Sequence, residues 1–358
     1  MSSKPFDWLF EDGNPMDWRT VAITMLAVAL PPVIAVLIYG RMGAVAFIAA
    51  LPAYLAAKDA GVLNSSVVTL VMGMAGLLAL GDPDMALIVA PCLGIITGIC
   101  GKSGMARPCL RALITWTVFT SPILPADEKP MLFAIFILAM IWSLLVAAWF
   151  DQTRTSGDED RESDEYALIF GSLFAFGLAA SVFVGGRFFG EHGFWFPLTF
   201  VVLCIPPHGR LFKRTVKRTV GTILGTAVAI GFAWISEDTW LLITLGAVSL
   251  ALSFRTLPWN YTVFTACLTV SVLEVLALVS DISTLAFERL YTMAAAAVMT
   301  FALGALGVLG LWLLKPDALK VLQQDDDAAT DADQQDDDAA TDGEQQDDDD
   351  GDTADQPS

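Results

Sequence analysis

Charge is what this sequence most conspicuously has little of. Of 358 residues, 16% are charged and 55% are hydrophobic, and the mean hydropathy is +0.60. A soluble domain carries about 25% charge, so the chain falls in the membrane class before any motif is considered. Histidine is scarcer still. The two present, His192 and His208, fall at opposite ends of one expected span, which argues against a shared metal. The five cysteines (Cys92, Cys100, Cys109, Cys204 and Cys267) form no CxxC pair and read as small buried hydrophobes. GxSxG, HExxH and paired carboxylates in a polar stretch are all missing, so no catalytic residues are assigned and the chain is not expected to be an enzyme. Gly98-Ile-Cys-Gly-Lys-Ser103 suggests a phosphate loop, but Ile96 stands where that loop needs glycine. With no nucleotide motif and no cofactor expected, any pumping draws on an ion gradient. The N-terminus lacks the basic stretch of a cleavable signal: its first charged residues include Asp7, Glu11, Asp12 and Asp17.

The net charge of −19 is concentrated at one end. From Gln323 onward there are 16 acidic and no basic residues, and the remainder carries 23 acidic against 20 basic, a net −3. The tail, 315–358, repeats QQDDDAATDAD with an 11-residue period and cannot bury a core, so it is expected to be disordered. Basic residues form no stripe on a soluble domain, and nucleic acid is excluded as a partner.

Apolar runs fill the rest. A crossing helix needs about 20 apolar residues, and twelve candidate runs occur: 19–39, 43–57, 63–80, 84–101, 108–124, 131–150, 166–185, 193–206, 218–235, 238–253, 257–279 and 288–314. The run at 193–206 is short for a full span. With the N-terminus inside, 16 Lys and Arg fall in inside loops and 4 outside (Arg41, Lys129, Arg187 and Arg289), a strong positive-inside bias. The expected fold is all-α and integral to the membrane, with about twelve transmembrane helices. A cytoplasmic segment 1–18 precedes a six-helix block 19–150, a charged hinge 151–165, a second six-helix block 166–314 and the acidic tail 315–358. Both termini are expected to be cytoplasmic. An even number of spans per block implies a parallel repeat.

The centre of this arrangement is Phe194 to Gly225. An apolar run containing Trp195 and Pro197 is followed by a basic loop (Arg210, Lys213, Arg214, Lys217, Arg218), and then by Gly221 and Gly225 at the start of the next run. Gly221 with Gly225, and Gly94 with Gly98, have the four-residue spacing that lets helix backbones approach closely. Pro31, Pro32, Pro52, Pro91 and Pro122 interrupt the first block, either as tolerated kinks or as broken helices beside a solute path. Glu274 is the carboxylate well inside an expected span and the candidate carrier of a coupled proton. The basic loop raises the local concentration of anions, and arginine can hold a carboxylate through two donors. Phe194, Trp195 and Phe196 could offer faces to an aromatic ring.

Trp195 with Pro197-Leu-Thr199, the basic turn from Arg210 to Lys217, Arg218-Thr-Val-Gly221-Thr222-Ile-Leu-Gly225, and Asn260-Tyr261 after Arg255 together resemble the fusaric acid resistance (FUSC-type) family over about 166–280. That family includes bacterial aromatic acid exporters and is similar to plant aluminium-activated malate transporters. The resemblance implies export of organic, chiefly aromatic carboxylate, anions across the inner membrane. The residues implied to bind them are Arg210, Lys213, Arg214, Arg218, Thr222, Trp195, Asn260 and Tyr261. Expected partners are the anion, the lipid bilayer, a periplasmic membrane-fusion protein and a second copy of the chain. An organic-anion channel and a non-transporting membrane scaffold are the alternatives.

Overall fold

The computed structural model describes residues 14–122, 124–154, 161, 164–205, 211–235, 239–277 and 282–314. The tail 315–358, Arg210 and most of the expected hinge lie outside the described residues. Every regular element among the described residues is helical: α1 (Trp18–Val28), α2 (Leu30–Tyr39), α3 (Val45–Ala79), α4 (Pro83–Gly101), α5 (Ala106–Phe119), α6 (Lys129–Trp149), α7 (Asp164–Phe188), α8 (Trp195–Leu203), α9 (Leu211–Ile235), α10 (Thr239–Thr256), α11 (Tyr261–Ala277) and α12 (Ile282–Leu314). Seven stretches among the described residues are long and apolar enough to cross a bilayer: Trp18–Tyr39, Met42–Ala79, Pro83–Gly101, Ala126–Trp149, Ala167–Phe188, Leu211–Ile235 and Thr284–Gly310. α10 and α11 are shorter apolar helices. α8 has 9 residues, a length of about 14 Å against a hydrocarbon core of about 30 Å. The run at 193–206 therefore does not cross as one helix. Leu37, Ile38, Leu138, Leu145 and Phe176 are exposed, as helices facing lipid require.

Two of the interrupting prolines, Pro31 and Pro52, are answered by side chains. Pro31 has no N–H for the carbonyl of Ala27, and Ser143 on α6 donates to that carbonyl across 2.7 Å. The neighbouring carbonyl of Leu26 accepts from the Trp142 indole at 3.0 Å. Pro52 likewise frees the carbonyl of Ile48, which accepts from Thr115 on α5 at 2.8 Å. In lipid such carbonyls would otherwise stay unpaired at several kcal/mol each. At these two prolines side chains of neighbouring helices take up the freed carbonyls. Pro122 lies beyond the end of α5 and kinks nothing.

α3 consists of two helical arms that meet at a kink. Gly61 has φ 79 and ψ 170, a conformation open in practice only to glycine. Ser65 donates to the carbonyl of Ala53 at 2.8 Å. In a straight helix twelve residues would separate them by about 18 Å, so the two arms of α3 double back on each other at Gly61. The expected runs 43–57 and 63–80 are these arms.

The helices of residues 1–304 pair across the chain's midpoint in a reciprocal way. α4, fourth run of the first half, packs on α7, first of the second half; α1 packs on α10, the same pair with the halves exchanged. Gly94 and Gly98 make the first contact. A Cβ on Gly94 would lie 2.7 Å from the backbone nitrogen of Ala175, and one on Gly98 2.7 Å from the carbonyl of Ala167. The second contact centres on Arg255. It donates to the carbonyl of Met16 at 3.1 Å and lies 4.4 Å from the centroid of the Trp18 ring, while the amide of Met16 donates to the carbonyl of Arg255 at 2.9 Å. Residues 305–358 form a separate unit, described only to Leu314, where α12 ends.

Candidate functional site

From Leu211 onward the basic stretch after α8 is helical, not a loop. α9 begins at Leu211, so Lys213, Arg214, Lys217 and Arg218 occupy its first two turns. Cations at a helix N-terminus oppose the helix dipole and weaken the isolated helix. The arrangement also puts the positive end of the dipole and four cationic side chains at the same place, which favours an anion there. The spacing Arg214, Arg218, Thr222, Thr226 follows one helical face.

That face is held against α11 by glycine. A Cβ on Gly221 would lie 2.5 Å from the carbonyl oxygen of Thr262, and one on Gly225 2.9 Å from Cβ of Thr269. Only a bare backbone permits this approach. Arg218 is consequently 4% exposed. Its Nη1 donates to the Tyr261 hydroxyl at 3.2 Å, and its Nε has no partner among the described residues. The Arg214 guanidinium lies 6.0 Å from the centroid of the same tyrosine ring, and it donates to the carbonyl of Ile205 just beyond α8. The buried hydroxyls of Thr222, Thr226 and Thr265 also lack hydrogen-bond partners among the described residues. Unsatisfied buried polar atoms are rare in native proteins and call for an explanation. Asn260 is committed elsewhere. Its side-chain oxygen accepts from the amides of Thr262 and Val263 at 2.9 and 3.1 Å, capping the start of α11. Lys213 is exposed.

A second buried guanidinium completes the site. Arg289, counted from the sequence among the outside loop charges, sits two turns inside α12, because that helix starts at Ile282 and not at 288. It is 6% exposed, donates to the Thr199 hydroxyl at 3.2 Å and lies 4.3 Å from the centroid of the Trp195 ring. Arg218 and Arg289 are close enough to repel each other electrostatically, and neither has a carboxylate partner among the described residues. The Trp195 ring is stacked on Phe194, centroids 5.0 Å apart, as well as on Arg289. It is already engaged and does not stand open for a substrate ring. The signal in the sequence was the exception to the charge bias: an arginine on the poorly charged side, between Glu288 and Leu290.

Glu274 is fully buried on α11, and neither carboxyl oxygen has a hydrogen-bond partner among the described residues. Near the start of α12, His192 Nδ1 lies 2.5 Å from a carboxylate oxygen of Glu288. Among the described residues no group of three or more His, Cys, Asp or Glu is placed to hold a metal ion. Among the described residues no cysteine is in a disulfide; Cys109 and Cys204 are buried, Cys100 and Cys267 are half-buried, and Cys92 is exposed rather than buried.

Residues 167–318 match the model of a family described as fusaric acid resistance protein-like. No curated protein and no solved structure matches the chain. The matched region runs from α7 through α12 and holds every member of the site just described: Trp195, Thr199, Arg214, Arg218, Tyr261, Glu274 and Arg289. Several apolar helices of crossing length and this match make the chain a multi-pass membrane protein, whose residues 167–318 are similar to the fusaric acid resistance protein-like family.

Proposed function

We propose that the protein is a gradient-driven exporter of organic anions, chiefly aromatic carboxylates, across the inner membrane. The observation that carries this reading is the pair Arg218 and Arg289, buried in a membrane protein with no carboxylate partner among the described residues. Burying a guanidinium uncompensated costs several kcal/mol, and a bound anion removes that cost while taking up the unused donors. The orphan hydroxyls of Thr222, Thr226 and Thr265 line α9 and α11 in continuity with Arg218 and can hand a carboxylate along. Recognition rests on the carboxylate more than on stacking, since Trp195 is already engaged by Arg289 and Phe194.

Twelve crossings with both termini cytoplasmic belong to the same reading. The doubling back of α3 at Gly61 supports counting its arms separately, and the reciprocal contacts α4–α7 and α1–α10 support a parallel repeat. A periplasmic membrane-fusion partner follows from the family resemblance.

The test is benzoate flux in proteoliposomes, with and without a pH gradient. Gradient-dependent flux that Arg218→Gln and Arg289→Gln abolish supports the exporter. Flux indifferent to the gradient makes the protein a channel, and no flux of any carboxylate leaves a membrane scaffold.

A further inference from the structure

A second guanidinium cluster lies in the first half of the chain, at the same basic end from which α9 starts. Arg111, on α5, contacts Asp59 on α3 through Nε at 3.0 Å and donates through Nη1 to the carbonyl of Leu55 at 2.6 Å. A guanidinium has five N–H donors in a planar fork. Here Asp59 meets it through Nε and the carbonyl of Leu55 through Nη1, on separate edges of the fork. Both side chains keep partial access to the outside, 23% exposed for Arg111 and 16% for Asp59. Lys58, Arg107 and Arg214 all lie close enough to Arg111 to act on its charge. Arg111 contacts Asp59 directly, Lys58 precedes it in the chain, and Arg107 stands one turn before Arg111 on α5.

The cluster is joined to the site on α9. α5 packs against α8, and Arg214 is tied to Ile205 just past the end of α8. From Arg214 the positive charge continues across the Tyr261 ring to Arg218 and on to Arg289. Asp59 stands two residues before Gly61, where α3 doubles back. Its position is therefore set by the tip of a helical hairpin, and a Cβ at that tip would lie 3.4 Å from the carbonyl of Arg154.

We propose that Arg111 is the inner anion-binding site and that Asp59 is its tethered occupant, a carboxylate of the chain that an incoming organic carboxylate must displace before passing to Arg214 and Arg218. Asp59 then sets the affinity at the inner mouth and excludes anions too weakly held to compete. This inference rests on the anion-transport reading for its physiological role, but binding at Arg111 is measurable without transport.

The experiment uses the full chain, purified in detergent and reconstituted, with benzoate as probe. Two quantities are read: the apparent KM for benzoate flux, and the benzoate concentration that half-maximally raises Tm. Asp59→Asn is expected to lower both by about fivefold, the effect of removing one partly exposed ion-pair competitor. Asp59→Glu is expected to stay near the unaltered chain, and Asp59→Asn combined with Arg111→Gln is expected to lose the gain. If the unaltered chain carries no benzoate yet Asp59→Asn still shifts the Tm response to lower benzoate, the site stands and the transport reading falls. If flux is normal and neither quantity moves in Asp59→Asn, the inference is overturned. Failure of both Asp59→Asn and Asp59→Ser to accumulate as folded protein shows that the pair is a structural brace, which also overturns it.

Discussion

The Arg289 guanidinium lies 4.3 Å from the centroid of the Trp195 ring and donates to Thr199 one turn further along α8. The short helix α8 is thereby bound to α12 by a cation–π contact and a hydrogen bond, and a desolvated cation–π contact is worth about 2 kcal/mol. Arg289→Gln is expected to lower benzoate flux by roughly tenfold or more, because hydrogen bonds to a charged group contribute about 1.5–3 kcal/mol each. Arg289→Lys is expected to recover little of it, since an ammonium has neither the planar fork nor the stacking face. Full flux in Arg289→Gln at normal protein amounts would remove this residue from the site.

Arg218 is held by the Tyr261 hydroxyl and by the close approach of α9 to α11. Arg218→Gln is expected to leave the amount of folded protein near normal while flux falls, and Arg218→Lys to rescue partly. Tyr261→Phe removes one hydrogen bond, worth about 1 kcal/mol, and is expected to have the mildest effect. Were lysine to substitute fully, Arg218 would be serving only as a cation at the membrane surface.

Gly221→Leu is expected to cost folded protein instead of activity per molecule. Even a Cβ would meet the carbonyl of Thr262 at 2.5 Å, and overpacking of this kind costs about 1–3 kcal/mol or more. Gly231→Ala, where a Cβ meets nothing within 4 Å, is the matched control. The monodisperse fraction on size-exclusion chromatography separates the two, and equal fractions would refute the close-contact role.

Gly61→Ala is expected to lower Tm, because φ 79 with ψ 170 is strained for any side chain, at about 1–3 kcal/mol. Ser65→Ala, removing the bond to Ala53, is expected to cost about 1 kcal/mol. An unchanged Tm in both would mean that the hairpin of α3 is held from outside.

Glu274 is the test of coupling. Buried without a hydrogen-bond partner among the described residues, it is the proton carrier in the proposed scheme. Glu274→Gln cannot carry a proton. Its flux is expected to lose dependence on the pH gradient while benzoate binding, read by Tm, is retained. Undiminished gradient dependence would move the coupling elsewhere.

The sequence by itself determined that the chain is helical and lives in a membrane. Long apolar runs satisfy their own backbone only as helices, and that constraint is local. The glycine spacings were equally legible, since a missing side chain is visible without knowing the partner. What the sequence did not contain was direction and rotation. Arg289 reads as a loop charge until the start of α12 is known, and a helix that begins nearly two turns earlier carries it from the surface into the site. Gly94 and Gly98 announce a close contact but not that α7 makes it. Pro31 and Pro52 leave carbonyls free, yet only packing brings Ser143 and Thr115 to them. Asp59 and Arg111, 52 positions apart, look like ordinary loop charges, and the turn at Gly61 places one against the other. These are relations between distant residues, set by which helix faces which, and the tertiary structure decided them.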